Sequence, residues 1–532
     1  MKQFFIETPI QCEMSMNAEQ EGGMCMMTEC VIGVDIGTSG CKCILMDASG
    51  TIRAHATEEY PIYQPQTGWS EQDPEDWWEA ACMCMRSVMK EAGNVHIKGI
   101  SFSGQMHGMV ALDEQNEVVR RAILWNDQRT VQQCEEITEK AGGLDALLDY
   151  TNNQMLTGYT GGKILWMKEN EPEHYARTKV IINPKDYIRF QLSGEAITDV
   201  SDASGYGFFD VKNRVWAWEL IDKADLRREL FPAVVESTEQ TGTVSKEAAE
   251  KTGVPEGTPL YGGGGDAVIS TTGMGLVLPG RVGVTLGTSG VVAMGLPQYM
   301  KNPEGKLQCF CNNKPNTWHA MGVTLAAAGS YQWFRNALGD LELEKEKTDG
   351  TSSYDLLNAL AEQTEPGADG LLYLPYLTGE RCPLNDPKAR GAFIGLTSSH
   401  TKGHMVRAVL EGVVFSLRQV YDLIMSLDTS IESKEIVVSG GGARSVLWRQ
   451  MLADVFELPV HTVYGSAEGG AFGAALVAGT GCGLWSSLEE AMALAKPDSE
   501  VKPRAEYAAM YRKQYEAYTK MYGSLKWYFD EQ

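Results

Sequence analysis

The stretch VIGVDIGTSGCKCILMD (31–47) is echoed 250 residues later by RVGVTLGTSGVVAMG (281–295), with the letters GTSG at 37–40 and again at 287–290. Each copy closes one apolar run and opens another, so each reads as strand, tight turn, strand. Glycine lets the backbone turn sharply and bring amide N–H groups up to an anion, while Thr and Ser add hydroxyl donors. Two such turns in matching strand contexts imply two related halves, each offering a loop to one polyphosphate.

Working outward, the first copy continues into TIRAHATEEY (51–60), a third strand after the turn ASG at 48–50. EDWWEAACMCMRSVMKEAG (75–93) then has the spacing of an amphipathic helix, and KGISFSG (98–104) that of a further strand. The second copy repeats the plan, with TWHAMGV (317–323) as third strand and TLAAAGSYQWFRNAL (324–338) as helix. A β-β-β-α-β-α unit used twice is an α/β architecture with helices on both faces of its sheets. VPEGTPLYGGGG (254–265) is expected to interrupt regular structure and to mark the boundary, giving domains at 31–261 and 262–532. Residues 1–30, Met-rich and without periodicity, read as a disordered leader, with Met27 as an alternative start just before the first strand.

With 532 residues the chain exceeds what one core supports, consistent with two domains. A formal net charge of −24 excludes nucleic acid and anionic membrane as partners. The uncharged run 282–300 carries repeated glycines and Pro297, so it reads as strand–turn–strand and not as a spanning helix. No secretory signal is visible in the first 29 residues, and the twelve cysteines are expected to be reduced thiols of a cytoplasmic protein. The C-x-C pairs Cys41/Cys43, Cys82/Cys84 and Cys309/Cys311, and the pair His400/His404, lack further ligands at metal-site spacing.

Asp266 ends the run GGGGD and is expected on a glycine loop between the halves, where an acid can be approached closely and act as general base towards a substrate hydroxyl. GGGGDA (262–267) also satisfies a dinucleotide fingerprint, but no Asp or Glu follows before Pro303 to hold a ribose, so that reading is rejected. GYTGGKI (158–164) mimics a P-loop, yet Ile164 stands where a Ser or Thr would hold magnesium.

Two long motifs carry a resemblance to a known family. GYTGGKILWMKEN (158–170), with Lys163 and Trp166, and GAFIGLTSSHTKGHMVRAVLE (391–411), with His404 and Glu411, resemble the two signatures of the FGGY carbohydrate kinases. SFSGQMHGM (101–109), ILWNDQR (123–129), PYLTGER (375–381) and GGGARSVLWRQMLAD (440–454) are similar to segments of the xylulokinase branch in the same order. The resemblance implies two ribonuclease-H-like domains of the actin and sugar-kinase superfamily, with the active site in the cleft between them. It implies ATP-dependent phosphorylation of a ketopentose, D-xylulose to D-xylulose 5-phosphate, or of another ketose, polyol or sugar acid. A non-catalytic sugar sensor or sugar-independent ATPase is disfavoured by the joint presence of Asp35, Lys42 and Asp266. By the same resemblance Asp35 would hold Mg²⁺ through water. Gly37, Thr38, Ser39, Gly40 and Lys42, with Gly287, Thr288 and Ser289, would bind the ATP phosphates. Gly441 and Gly442 would lie against adenosine. Met106 and His107 would border the sugar, and Asp266 would be the base that binds and activates its hydroxyl. Partners are then the sugar and ATP, and the sequence leaves room for a homodimer. One departure stands out: the position after the catalytic acid, usually an amide that contacts the sugar, is Ala267.

Overall fold

The computed structural model describes residues 27–277, 280–465 and 468–532. Of the leader expected at 1–30, residues 1–26 lie outside the described residues, and the first strand begins at Thr28. Strands β1 (Thr28–Ile36), β2 (Gly40–Asp47) and β3 (Ile52–Glu59) form an antiparallel meander. Helix α1 (Pro74–Glu91) then carries the chain to β4 (Val95–Gly104), which pairs parallel with β1. The start of α1 is fixed by Asp73, whose side chain accepts from the Glu75 N–H, and by Pro74 in the first turn. Its buried face, including Trp77, Ala81, Cys84 and Val88, joins the core against this sheet. After α2 (Thr160–Asn170) and α3 (Pro184–Ser193), strands β5 (Gln240–Thr243), β6 (Pro259–Tyr261) and β7 (Gly264–Gly265) complete it in the order β5–β6–β4–β1–β2–β3, with β7 also pairing β4.

Helix α4 (Asp266–Gly273) leads to β8 (Arg281–Leu286), β9 (Gly290–Leu296), β10 (Gln308–Cys311) and β11 (Trp318–Thr324). Then come α5 (Ala328–Leu338), α6 (Lys402–Met425), β12 (Glu435–Ser439), α7 (Val446–Phe456), β13 (Val460–Val463), α8 (Gly470–Gly481), β14 (Pro497–Val501) and α9 (Ala505–Asp530). The second sheet runs β10–β11–β9–β8–β12–β13–β14. Its pairings repeat those of the first: β8 is antiparallel to β9 and parallel to β12 as β1 is to β2 and β4, and β9 is antiparallel to β11 as β2 is to β3. The repeat expected from the two GTSG turns is therefore present, with β10 as an added edge strand.

The glycine run does not interrupt regular structure as expected. Pro259–Tyr261 and Gly264–Gly265 are strands of the first sheet, with Gly263 turning between them at φ 77°. These pairings join the residues just beyond the expected 261/262 boundary to the first sheet. The halves meet through α8. A Cβ on Gly33 of β1 would lie 2.0 Å from the Ala471 carbonyl oxygen, and one on Gly473 2.0 Å from that of Ile269 on α4. Backbones approach here at distances only glycine permits.

Among the described residues no helix is long and apolar enough to cross a membrane, and no group of three or more His, Cys, Asp or Glu side chains could hold a metal ion. The ten described cysteines are free thiols, nine of them buried. His404 serves α6 as the reciprocal partner of Thr401 in its capping box.

Candidate active site

Register brings the first group together. Asp35 stands opposite Lys42 on β2 and Ser103 on β4, and side chains level with one another across a sheet share a face. The Ser103 hydroxyl donates to Asp35 Oδ1 at 2.6 Å, and Lys42 pairs with Glu468 at 3.2 Å across the two halves. Burial raises the Asp35 carboxyl above its usual range, against the Ser103 hydrogen bond and the Lys42 charge. A Cβ on Gly470, the first residue of α8, would come within 2.1 Å of Ser103 Oγ and 2.8 Å of Asp35 Oδ1, so this helix begins directly on the pair. The equivalent row of the second sheet places Thr285 opposite Ser439, their hydroxyls 3.0 Å apart. Only the first copy carries a carboxylate. A lone carboxylate beside a hydroxyl suits magnesium, which keeps most of its water and is shared with phosphate oxygens.

Asp266 does not sit on a loop. It is the first residue of α4, with Gly265 as the preceding cap. Its Oδ1 accepts from the Ala267 N–H at 2.7 Å and from the Met106 N–H at 3.4 Å. A helix N-terminus favours a charged carboxylate, but burial and then the charge of Asp35 outweigh it and push the Asp266 carboxyl up to about 7. Close approach explains the glycines: a Cβ on Gly265 would meet Met106 Cγ at 2.5 Å. Beneath this strand lies a buried ionic cluster. Lys185 Nζ reaches Asp186 at 2.6 Å, Asp199 at 3.0 Å and Asp202 at 3.5 Å, and touches the Gly262 carbonyl at 3.4 Å. Burial works against the Lys185 charge, but the charges of Asp186, Asp199 and Asp202 outweigh it and hold the ammonium well above its usual range. Ser201, itself donating to Asp199, accepts from the Gly265 N–H at 3.1 Å, so the cluster fixes the strand that presents Asp266.

Met106 and His107 end the turn after β4, His107 with φ 72°. Its Nδ1 lies 2.8 Å from the Gly205 carbonyl, which can only accept, so Nδ1 carries the proton and Nε2 is left as an acceptor. Burial, helped by the charge of Lys163, pushes the His107 imidazole down to about 3, so the ring is neutral. Lys163, fully buried, donates to the carbonyls of His107 (2.6 Å) and Gly158 (2.7 Å). It is a backbone clamp, not a phosphate ligand. Glu411 likewise binds the Gly367 N–H, Arg407 and the Tyr511 hydroxyl inside the second half. The Tyr159 ring stacks on His107, centroids 4.6 Å apart, and Phe310 of β10 closes on both. Neither aromatic residue was singled out from the sequence, although Tyr159 lies in the signature stretch 158–170 and Phe310 between Cys309 and Cys311.

The two GTSG turns are held differently. In the first, Tyr60 donates to the Gly37 carbonyl (2.5 Å), Gln72 to the Thr38 carbonyl (2.8 Å), and the Trp125 indole to the Thr38 hydroxyl (3.0 Å). In the second, the Thr288 carbonyl accepts from Ala327 and Gly329 and the Gly287 carbonyl from Ala328, docking the turn on the start of α5. Carbonyls are thus engaged by protein on both loops. Gly287, Thr288, Gly441 and Gly442 line a cavity of about 650 Å³ with Tyr331 and Trp448. Its aromatic walls and glycine backbone fit a purine nucleoside. A second cavity, of about 350 Å³, holds Asp266 and Ala267 against Val291, Ala293 and Met321 of the second sheet, with Gly440 at its rim. Gly440 and Gly441 are adjacent, so the two cavities meet at this turn. The expected residues therefore fall into three neighbouring groups: Asp35 with Lys42, Asp266 with Met106 and His107, and the nucleoside-sized cavity. Ser289 and the first turn line neither cavity.

The model of the FGGY carbohydrate kinase N-terminal domain matches residues 30–273, and that of the C-terminal domain residues 282–482. The chain is 37% identical over 500 residues to a xylulose kinase of Bacillus subtilis (strain 168), covering 93% of this chain and 97% of that protein. It is 40% identical over 463 residues to a xylulose kinase of Lactococcus lactis subsp. lactis (strain IL1403), covering 86% and 89% respectively. The crystal structure of xylulose kinase from Rhodospirillum rubrum superposes with a TM-score of 0.87 at 29% identity, over 94% of this chain and 100% of that one. Domain order, repeated sheets and the extent of these matches lead to one conclusion: the chain belongs to the FGGY family of carbohydrate kinases.

Proposed function

We propose that the protein transfers the γ-phosphoryl group of ATP to D-xylulose, yielding D-xylulose 5-phosphate and ADP. The observation that carries this reading is Asp266, an acid in a cleft cavity whose carboxyl is raised to about 7, next to Asp35 and beside a nucleoside-sized cavity. A base poised near neutrality can take a hydroxyl proton and still be deprotonated in a useful fraction of molecules.

In this reading the sugar lies between Met106 and His107 on one side and the second sheet on the other. His107 Nε2 accepts from a sugar hydroxyl, and Asp266 orients the hydroxyl that reacts. As the sugar oxygen bonds to the γ-phosphorus and the bond to the β-phosphate oxygen breaks, the hydroxyl proton passes to Asp266. Gly37 to Gly40 and Lys42 from the first half, with Gly287 to Ser289 from the second, surround the phosphates, and Gly441 and Gly442 lie against adenosine. Bound magnesium neutralises phosphate charge, and Asp35 is the residue that would hold it, through water. Because the transferred group passes through a loose transition state, alignment and charge neutralisation carry most of the catalysis. Asp266 then positions as much as it abstracts. Lys42 pairs with Glu468 in this structure, so phosphate binding would draw it from that carboxylate.

A panel of ketoses, polyols and sugar acids with coupled ADP detection tests the assignment. D-Xylulose should give the highest kcat/KM. A sugar acid or polyol preferred over every ketopentose would overturn the choice of substrate, and ADP release without any sugar would overturn sugar kinase activity.

A further inference from the structure

The cavity beside Asp266 is short of groups that could distinguish one polyhydroxylated chain from another. Ala267, Met274, Val291, Ala293 and Met321 line it with carbon; its polar side chains are Asp266, Ser270, Thr271, Thr285 and Ser439, and the last two hydroxyls pair with each other. Strand register shows what stands at its end. Gly283 pairs with Ala293, Ala293 with Met321, and Met321 with Gln308 on the edge strand β10. Directly paired residues point to one face, so Gln308 continues the row whose first three members line the cavity. Two residues further along β10, on the same face, Phe310 packs against His107 and Tyr159. Gln308 Nε2 reaches the Tyr159 hydroxyl at 3.4 Å, from the second half across to the first. Among the described residues its Oε1 has no hydrogen-bond partner, and the residue is half-buried, so the acceptor faces the site.

We propose that Gln308 is a specificity-determining residue, its carboxamide reading a hydroxyl of the acceptor sugar away from the reacting end. The inference rests on the sugar kinase reading above. A carboxamide offers a donor and an acceptor side by side, matching a hydroxyl that both gives and takes a hydrogen bond. A buried polar group paired with substrate discriminates strongly, because an epimer lacking the hydroxyl at that place leaves the group unpaired. β10 has no counterpart in the first sheet, so the added strand is what brings this side chain to the site.

The test uses the full-length enzyme, with Gln308→Ala and Gln308→Met, the second filling the same space without the amide. KM and kcat are measured for D-xylulose and for its epimers D-ribulose (at C3) and L-ribulose (at C4), with KM for ATP in parallel. Both variants should raise KM for the preferred sugar about 5- to 10-fold, the worth of roughly one hydrogen bond, while kcat and KM for ATP change less than about 3-fold. The preference among epimers should shrink by a similar factor. Unchanged KM, or an equal fall in kcat/KM for every epimer, would overturn the proposal, the latter pointing to a general loosening of the halves. If the wild-type protein turns over a different sugar class, the D-xylulose assignment fails, and Gln308 is scored by the same ratios on that class. Sugar-induced thermal shift, followed for wild type and both variants, reports binding without turnover; an equal shift in all three would also overturn the role.

Discussion

Replacing Asp266 by Asn should cost activity and raise stability, and the second effect has a magnitude that follows from the site. The Asp266 carboxyl goes from 3.8 to about 7 on folding, because burial and then the charge of Asp35 disfavour its ionised form. At about 1.36 kcal/mol per pKa unit, the ionised group destabilises the native state by at most about 4 kcal/mol. Part of the side chain reaches the cavity and its water, and screening brings this to about 1–2 kcal/mol. An acid with a raised pKa binds more protons folded than unfolded between the two values. Native stability therefore falls as pH rises from about 4 to about 7, and the loss is complete above that window. Asn has the same shape and an Oδ1 that still accepts from Met106 and Ala267, but it never ionises. In thermal unfolding without nucleotide, Asp266→Asn should match wild type near pH 4 and exceed it at pH 8. At about 2–4 °C per kcal/mol for a domain of this size, the gain is about 2–8 °C. Turnover should fall roughly 10²-fold or more. Equal Tm at pH 8, or a gain independent of pH, would show that Asp266 is not a strained carboxylate; near-normal turnover would remove it as the base.

The pH profile provides a second check: kcat/KM for the sugar should rise with pH and level off above about 7, since the base works deprotonated and burial holds its carboxyl near that value; a profile flat from pH 5 to 8 would contradict this. Gly33→Ala drives a methyl to 2.0 Å from the Ala471 carbonyl oxygen, so Tm and soluble yield should drop sharply, by about 3 kcal/mol or more; wild-type Tm would mean that β1 and α8 can part easily. Ala267→Asn restores an amide in the cavity and should lower KM for D-xylulose about 2- to 10-fold with kcat little changed; abolished turnover would mean that the sugar already fills that space.

Much of the architecture could be read from the chain because the two GTSG stretches carry strand alternation, turn chemistry and repetition at once. Asp35 and Lys42 lie in one such stretch, seven residues apart on two strands joined by a short turn, so both could be named from it, and the hairpin register sets them opposite each other. Asp266 was identified, but its setting was misjudged: a glycine run reads as a loop when nothing local shows that Met106 and Asn313 press on it from distant segments. The contacts of Tyr159, Phe310 and Gln308 escaped the reading for the same reason, although Tyr159 stands in the quoted signature. Their positions around His107 depend on an edge strand meeting the opposite half, and sequence pattern holds no record of long-range register. The signature residues Lys163 and Glu411 were easy to find, yet the structure uses them to tie down backbone and helices, so a motif's prominence did not measure nearness to the chemistry.

The seating of α8 bears on how this chain comes to be folded at all. Residues 470–481 press on β1 and on α4, so a face of the first sheet is covered by a segment made long after that sheet's own strands. A nascent chain carrying every strand of that sheet would still expose Val31, Ile44 and Met46 until α8 has left the ribosome. Contacts so remote in sequence are late and slow to form, and they leave apolar surface open in the meantime. The first half should therefore refold poorly as an isolated fragment, and a fragment ending before residue 470 should bind chaperones or aggregate even though it contains a complete sheet.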